Sequence, residues 1–165
     1  MTVSTPAPDD PARPPGQGLA QRTGYLLIKL GEVTLDLAEQ ALAPLHLRAR
    51  HFNVMAMAAN DVTLSQQDLS GLLGLDPTIM VALVDDLEAR GLLQRQRSPK
   101  DRRRYLLQLT PAGQRTLKRA FHAIEDAENK LLASLNRQEA RTFQELAGRL
   151  LAPYWPIRHT GAPRT

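Results

Sequence analysis

Along most of the chain, apolar residues return every three or four positions, and short polar stretches rich in proline and glycine interrupt them. From about Gly18 to Ala43, Leu26, Leu30, Val33 and Leu37 recur at spacings of four, three and four, and Leu19 and Tyr25 extend the same side. That period predicts an amphipathic helix, which Pro44 ends. Leu45 to Leu47 form a connector, and Ala49 to Ala59 predict a second helix with Phe52, Met55 and Met57 available for packing. Asn60-Asp61 reads as a turn, and Val62-Thr63-Leu64 as a short strand able to join a later sheet. A third helix opens at Ser65, with Asp68 three residues on completing a capping box, and Gly71 and Gly74 frame its end. Asp76 can cap the next helix and Pro77 suits its first position, where a missing N–H costs nothing. Met80, Leu83, Val84 and Leu87 then fall at i, i+3, i+4 and i+7, one buried stripe, and Gly91 suits a left-handed C-cap.

After that helix the period changes. Leu92 to Arg97 and Tyr105 to Leu109 predict two short strands, joined through Ser98-Pro99-Lys100-Asp101 and an arginine triplet. Thr110-Pro111 repeats the pairing of cap and proline and opens a helix to about Ala133. Leu117, Phe121, Ile124, Leu131 and Leu135 form an a/d-like seam on it. Asn136 with Glu139 starts a last helix, amphipathic through Ala140, Phe143, Leu146, Ala147 and Leu150 until Pro153 stops it. The predicted class is mainly α with a small β-wing: a helix-turn-helix over 65–90 and a wing over 92–109, flanked by helices at both ends.

Charge sharpens this picture. Residues 90–104 hold seven basic side chains and one acidic one, a local +6 in a chain whose total is +4, so the remainder sums to −2. A basic ribbon directly after a helix-turn-helix is suited to holding phosphates. Composition excludes other classes. With no cysteine there is no disulfide, thiolate zinc site or thiol redox sensor. No apolar run nears a membrane-spanning length, and the polar, proline-rich start has no signal-peptide pattern, so a soluble cytoplasmic protein is expected. Five prolines among the first fifteen residues predict a disordered arm over 1–17, and 153–165 read as a tail. His46, His51, His122 and His159 show no metal-pair spacing and no serine stands in a nucleophile elbow, so no catalysis, metal or cofactor is expected.

The stretch from Leu64 to Gly113 resembles the winged helix-turn-helix of the MarR family of bacterial transcription regulators. The resemblance rests on Leu87, Glu88, Gly91 and Leu92, on Asp101 and Arg103 in the wing, and on Leu109, Thr110 and Gly113 after it. It implies a homodimer joined by the terminal helices (18–47 and 111–152), with a DNA-binding lobe over 48–110. It further implies double-stranded DNA with a palindromic operator as partner, no membrane, and a small effector, frequently aromatic or anionic in that family, in the crevice between lobe and dimer helices. Effector candidates are Tyr25, His46, Arg48, His51, Met55 and Phe121. Each of these also has an ordinary packing or capping role open to it. By the same analogy Arg103 enters the minor groove and Asp101 holds its guanidinium.

The outward face of the second helix of the motif departs from the usual pattern. With the apolar stripe inward, Thr78, Val81, Ala82 and Asp85 point out, and many family members carry arginine at the place of Ala82 or Asp86. A bidentate arginine–guanine contact is therefore not expected. Thr78, Val81 and Ala82 suit thymine methyl groups, Gln66, Gln67 and Thr78 suit phosphates, and Ser65 and Pro77 are further DNA-binding candidates beside them. Arg95, Arg97, Lys100, Asp101, Arg102, Arg103 and Arg104 are the candidates in the wing. Two function classes stay open: a ligand-responsive DNA-binding repressor, and a winged-helix interaction module without sequence-specific DNA binding. The acidic outward residues Asp85 and Asp86 favour the second, and the basic wing opposes it.

Overall fold

The computed structural model describes residues 18–60, 64–98, 101 and 103–154. The proline-rich arm, Val62, Thr63, Lys100, Arg102 and the tail from residue 155 lie outside the described residues. Among the described residues, six α-helices and one two-stranded sheet follow in the order α1 (Thr23–Leu42), α2 (Ala49–Asn60), α3 (Gln66–Leu73), α4 (Pro77–Ala89), β1 (Leu93–Arg97), β2 (Tyr105–Leu109), α5 (Pro111–Leu131) and α6 (Arg137–Leu151). Short 3-10 turns precede α1 (Leu19–Gln21) and follow it (Ala43–Leu45).

Local chemistry accounts for the boundaries. Ser65 caps α3 reciprocally with Asp68, and Asn136 does the same with Glu139 for α6, so both capping boxes form as expected. Asp76 accepts from the N–H of Thr78, with Pro77 in the first turn of α4. Gly74 (φ 60°) and Gly91 (φ 64°) take the left-handed conformation that ends α3 and α4, whereas Gly71 lies inside α3. His46 also adopts positive φ (55°) and turns the chain out of the short 3-10 segment after α1.

Met80, Val84 and Leu87 of α4 are fully buried and meet Leu42, Val54, Met55, Ala58, Leu69, Leu93, Leu107, Leu117 and Ala120 in one core. Each fully buried Val, Leu or Met is worth roughly 1.5–3 kcal/mol relative to exposure, so α4 is held mainly by this stripe. β1 pairs antiparallel with β2 in the register Leu93↔Leu109 to Arg97↔Tyr105. Of the extra strand expected at Val62–Leu64, Val62 and Thr63 lie outside the described residues; among the described ones, Ser65 forms a bridge with Leu106. Ser65 must cap α3, so its backbone turns into the helix after one pairing.

The terminal helices are less covered. α1 packs along α5, yet Leu26, Leu27, Ile28, Val33 and Leu35 remain exposed. In α6 no residue is buried, although Phe143, Leu146 and Leu150 share one side of it. Along the seam expected on α5, Leu117 and Ile124 join the core and Phe121 is half exposed, its ring edge-to-face with Phe52 at 5.1 Å. Among the described residues, no helix is long and apolar enough to cross a membrane.

Candidate nucleic-acid interface

The face of α4 opposite the core is open. Thr78, Val81, Ala82, Asp85 and Asp86 are all exposed, as the helical period predicts once Met80, Val84 and Leu87 point inward. A groove of about 280 Å³ runs between this face, the start of α3 and the wing. Ser65, Gln66 and Gln67 line it on one side, Pro77 and Val81 on the second, and Arg103 and Arg104 on the third. Residues separated by nearly forty positions are thus brought to one concavity.

The basic residues divide into two groups. Arg90 donates to Asp86 (3.1 Å) and to the Leu45 carbonyl (3.3 Å). Arg95 is held by Asp85, Glu88 and Gln66. Arg104 donates to Ser65 Oγ (2.8 Å) and pairs with Asp68. Burial pushes the Asp68 carboxyl up, but hydrogen bonds from Ser65 and the Arg104 guanidinium outweigh it and hold the group below the usual carboxylate range. Arg97 and Arg103 have no carboxylate partner among the described residues, and the Arg97 guanidinium lies 5.8 Å from the centre of the Tyr105 ring. The phosphate-holding charge is therefore narrower than the +6 of the sequence suggests.

Asp101 acts differently from the expectation. Its carboxylate accepts the backbone N–H of Arg103 at 3.0 Å, and its carbonyl accepts that of Arg104 at 3.0 Å. Among the described residues it makes no ion pair with the Arg103 guanidinium. A short side chain reaches the N–H two residues on more readily than the end of a long one, the usual Asx-turn geometry. Asp101 thus shapes the wing tip and leaves the Arg103 guanidinium free.

The six effector candidates are not gathered in either described cavity. Met55 is fully buried in the core, Tyr25 lies on α1 with Lys29 5.9 Å from its ring centre, and Phe121 stacks on Phe52. Arg48 and His46 are exposed at the turn into α2. His51 is tied into the lobe: its Nδ1 accepts the Arg48 backbone N–H (3.1 Å) and its Nε2 lies 3.4 Å from Asp86 of α4.

Sequence reasoning missed the link from His51 through Asp86 and Arg90 to the connector after α1, because its two long steps, His51 to Asp86 and Arg90 to Leu45, join residues 35 and 45 positions apart. Burial lowers the His51 pKa, Asp86 and Glu39 oppose this, and Arg90 and Arg48 add to it. An imidazole whose folded pKa is depressed binds its proton first in the unfolded chain. Its stabilising contribution is complete above the ordinary value near 6.5 and is lost as pH falls below that value. Melting temperature should therefore drop between pH 7 and pH 5 by more in the native protein than in His51→Asn, which keeps an acceptor at the same position. Parallel melting curves for the two proteins would show that His51 carries none of the pH dependence.

Helix-turn-helix, basic wing and a shared groove define a winged helix-turn-helix protein of the DNA-binding type. Residues 47–105 match the model of the MarR family. The chain is 35% identical over 99 residues to a transcriptional regulatory protein named for the hcr operon of Thauera aromatica, an alignment spanning 60% of each. It is 29% identical over 127 residues to the HTH-type transcriptional repressor Rv2887 of Mycobacterium tuberculosis, covering 77% of this chain and 91% of that one. Its fold is similar to that of CouR from Rhodococcus jostii RHA1 bound to p-coumaroyl-CoA, with a TM-score of 0.75 and 29% identity over 86% of this chain and 98% of that one. The repressor CouR bound to a 23-mer DNA duplex gives a TM-score of 0.76 at 28% identity, covering 84% and 99%. Over residues 47–105 the chain thus carries a MarR-family domain, and it resembles the regulators of that family over a longer span.

Proposed function

We propose that this protein is a homodimeric, ligand-responsive transcription regulator that represses from a palindromic operator and is released by a small-molecule effector. The observation that carries the reading is the groove between the exposed face of α4 and the wing, with Arg103, which has no carboxylate partner among the described residues, on its rim. Thr78, Val81 and Ala82 enter the major groove, where small and apolar side chains suit thymine methyl groups. Arg103 reaches the adjacent minor groove, with Arg97, Lys100 and Arg102 near phosphates. Gln66, Gln67 and Pro77 lie along the backbone. Residues 48–110 form the DNA-binding lobe, and 18–47 with 111–152 the dimerisation helices.

The relatives support the reading: CouR has been seen with a DNA duplex and with p-coumaroyl-CoA, and Rv2887 is named a repressor. Two recognition helices must stand about 34–36 Å apart to enter successive major grooves. An effector at the junction of α1, α2 and α5, near Tyr25 and Phe121, shifts the population toward a spacing that misses them. The protein works by binding and not by catalysis, in the cytoplasm where the chromosome lies. The interaction-module alternative loses its main support, because Asp85 is paired with Arg95 and Asp86 with Arg90.

Binding to duplexes from the DNA flanking its own gene, at fixed salt, tests the proposal. Arg103→Ala should weaken the tightest duplex by about 1–3 kcal/mol, as for an ordered groove contact. If Arg103→Ala binds every duplex as well as the native protein does, Arg103 makes no groove contact.

A further inference from the structure

Arg95 belongs by sequence to the basic wing, yet its donors all face the protein. Its Nη2 lies 2.7 Å from Asp85, its Nη1 pairs with Glu88, and its Nε donates to Gln66 Oε1 at 3.0 Å. Its backbone N–H donates to the other oxygen of Glu88 at 2.7 Å. One residue of β1 therefore bridges the C-terminal half of α4 and the first turn of α3. The side chain is only 20% exposed. A planar fork with donors on three sides satisfies this set of acceptors, and a lysine ammonium does not reproduce it.

The contact does two things at the interface. It fixes the roll of α4 relative to the wing, so that Thr78, Val81 and Ala82 and the tip at Arg103 keep one geometry. It also neutralises Asp85, which lies on the exposed face of α4 and would otherwise repel a phosphate backbone. By occupying the Gln66 carbonyl oxygen, Arg95 leaves the amide N–H groups of Gln66, donors suited to phosphate, as the free end beside the groove.

We propose that Arg95 is a positioning residue that locks the recognition helix to the wing and screens Asp85 and Glu88, and that it does not contact the DNA. The proposal rests on the DNA-binding reading above and predicts behaviour opposite to that of a wing phosphate contact. Arg95→Met should lose at least about tenfold of affinity on the tightest duplex and clearly less on random duplex, with a salt slope lowered by well under the one unit of a lost phosphate contact. Arg95→Lys should behave in the same way, since charge without the fork does not rebuild the bridge. Asp85→Asn with Glu88→Gln should raise affinity for random duplex and steepen its salt slope, because the released arginine then reaches phosphate.

Arg95→Met that lowers the salt slope by about one unit and weakens specific and random duplex equally, with Arg95→Lys near native, overturns the proposal and leaves the DNA-binding reading intact. If the native protein binds no duplex at all, the DNA-binding reading falls, and the bridge is judged without DNA. Thermal unfolding of Arg95→Met, of Asp85→Asn/Glu88→Gln and of their combination should then be strongly non-additive, and additive losses overturn it. The Lys variant, conservative in charge and stem, keeps the comparison available if Arg95→Met fails to fold.

Discussion

A protein carrying Phe143→Glu and Leu150→Glu on α6 is expected to sediment as a monomer near 18.3 kDa, and to lose about 100-fold or more of its affinity for a palindromic duplex. No residue of α6 is buried within the subunit, and Leu146 and Leu150 stay 47% and 63% exposed. An amphipathic helix with its apolar side in water requires a partner surface. The exposed Leu26, Ile28 and Leu35 of α1 add to the surface that a second copy would cover. Two-fold symmetry places each substitution twice in one interface, and burying each Phe or Leu is worth roughly 1.5–3 kcal/mol, so the introduced charges remove several such terms at once. Because both side chains lie outside the core of the lobe, its thermal transition should survive. The affinity loss follows from geometry: separate lobes find the two half-sites independently, and the advantage of a linked pair, typically 10²–10⁴, disappears. Sedimentation at micromolar concentration and a duplex titration give both quantities. A doubly substituted protein that remains a dimer, or a monomer that binds the palindrome at full strength, would remove the proposed architecture.

Gly113→Ala is expected to destabilise the lobe severely, toward or beyond the upper end of the ~1–3 kcal/mol usual for overpacking. A Cβ at this position would run into the carbonyl oxygen and carbon of Leu92, and it would also touch Leu109. Backbone cannot swing aside as a flexible side chain can. The junction is tied further by Thr110, whose hydroxyl donates to the Gly91 carbonyl (2.6 Å) and accepts the Gly113 N–H (3.0 Å), while its own N–H donates to Leu92 (3.2 Å). The start of α5 thus sits directly on the turn that ends α4 and begins β1. Displacing it would move the wing as well as the helix, so DNA binding should weaken together with stability. Urea unfolding measures the first effect. A variant with the native midpoint would show that the approach of α5 to Leu92 relaxes without cost.

Most of the helical frame was legible in the sequence for a physical reason. Its signals are local: a cap and its partner three residues on at Ser65 and Asn136, a cap followed by proline at Asp76 and Thr110, and apolar residues at i, i+3, i+4 and i+7 in α4. Each acts within one or two turns, and each appears in the structure where expected. The bridge from Ser65 to Leu106 was harder to foresee, because Ser65 also has a competing duty as a cap.

The side-chain partners were not legible. Counting charges along residues 90–104 made every arginine of the wing equivalent. The tertiary structure separates them: Arg95 is bridged to α4 and α3, Arg104 is anchored on Asp68 and Ser65, and Arg103 is left free. Asp101, read by analogy as a partner for the Arg103 guanidinium, holds a backbone N–H instead. The sequence by itself determined where α3, α4, α5 and α6 begin, which side of α4 is buried and which residues face outward, since these depend on neighbours a few positions apart. Only the tertiary structure decided which charges remain free for a partner, because an ion pair depends on distances between elements, and those are set by the packing of the whole lobe.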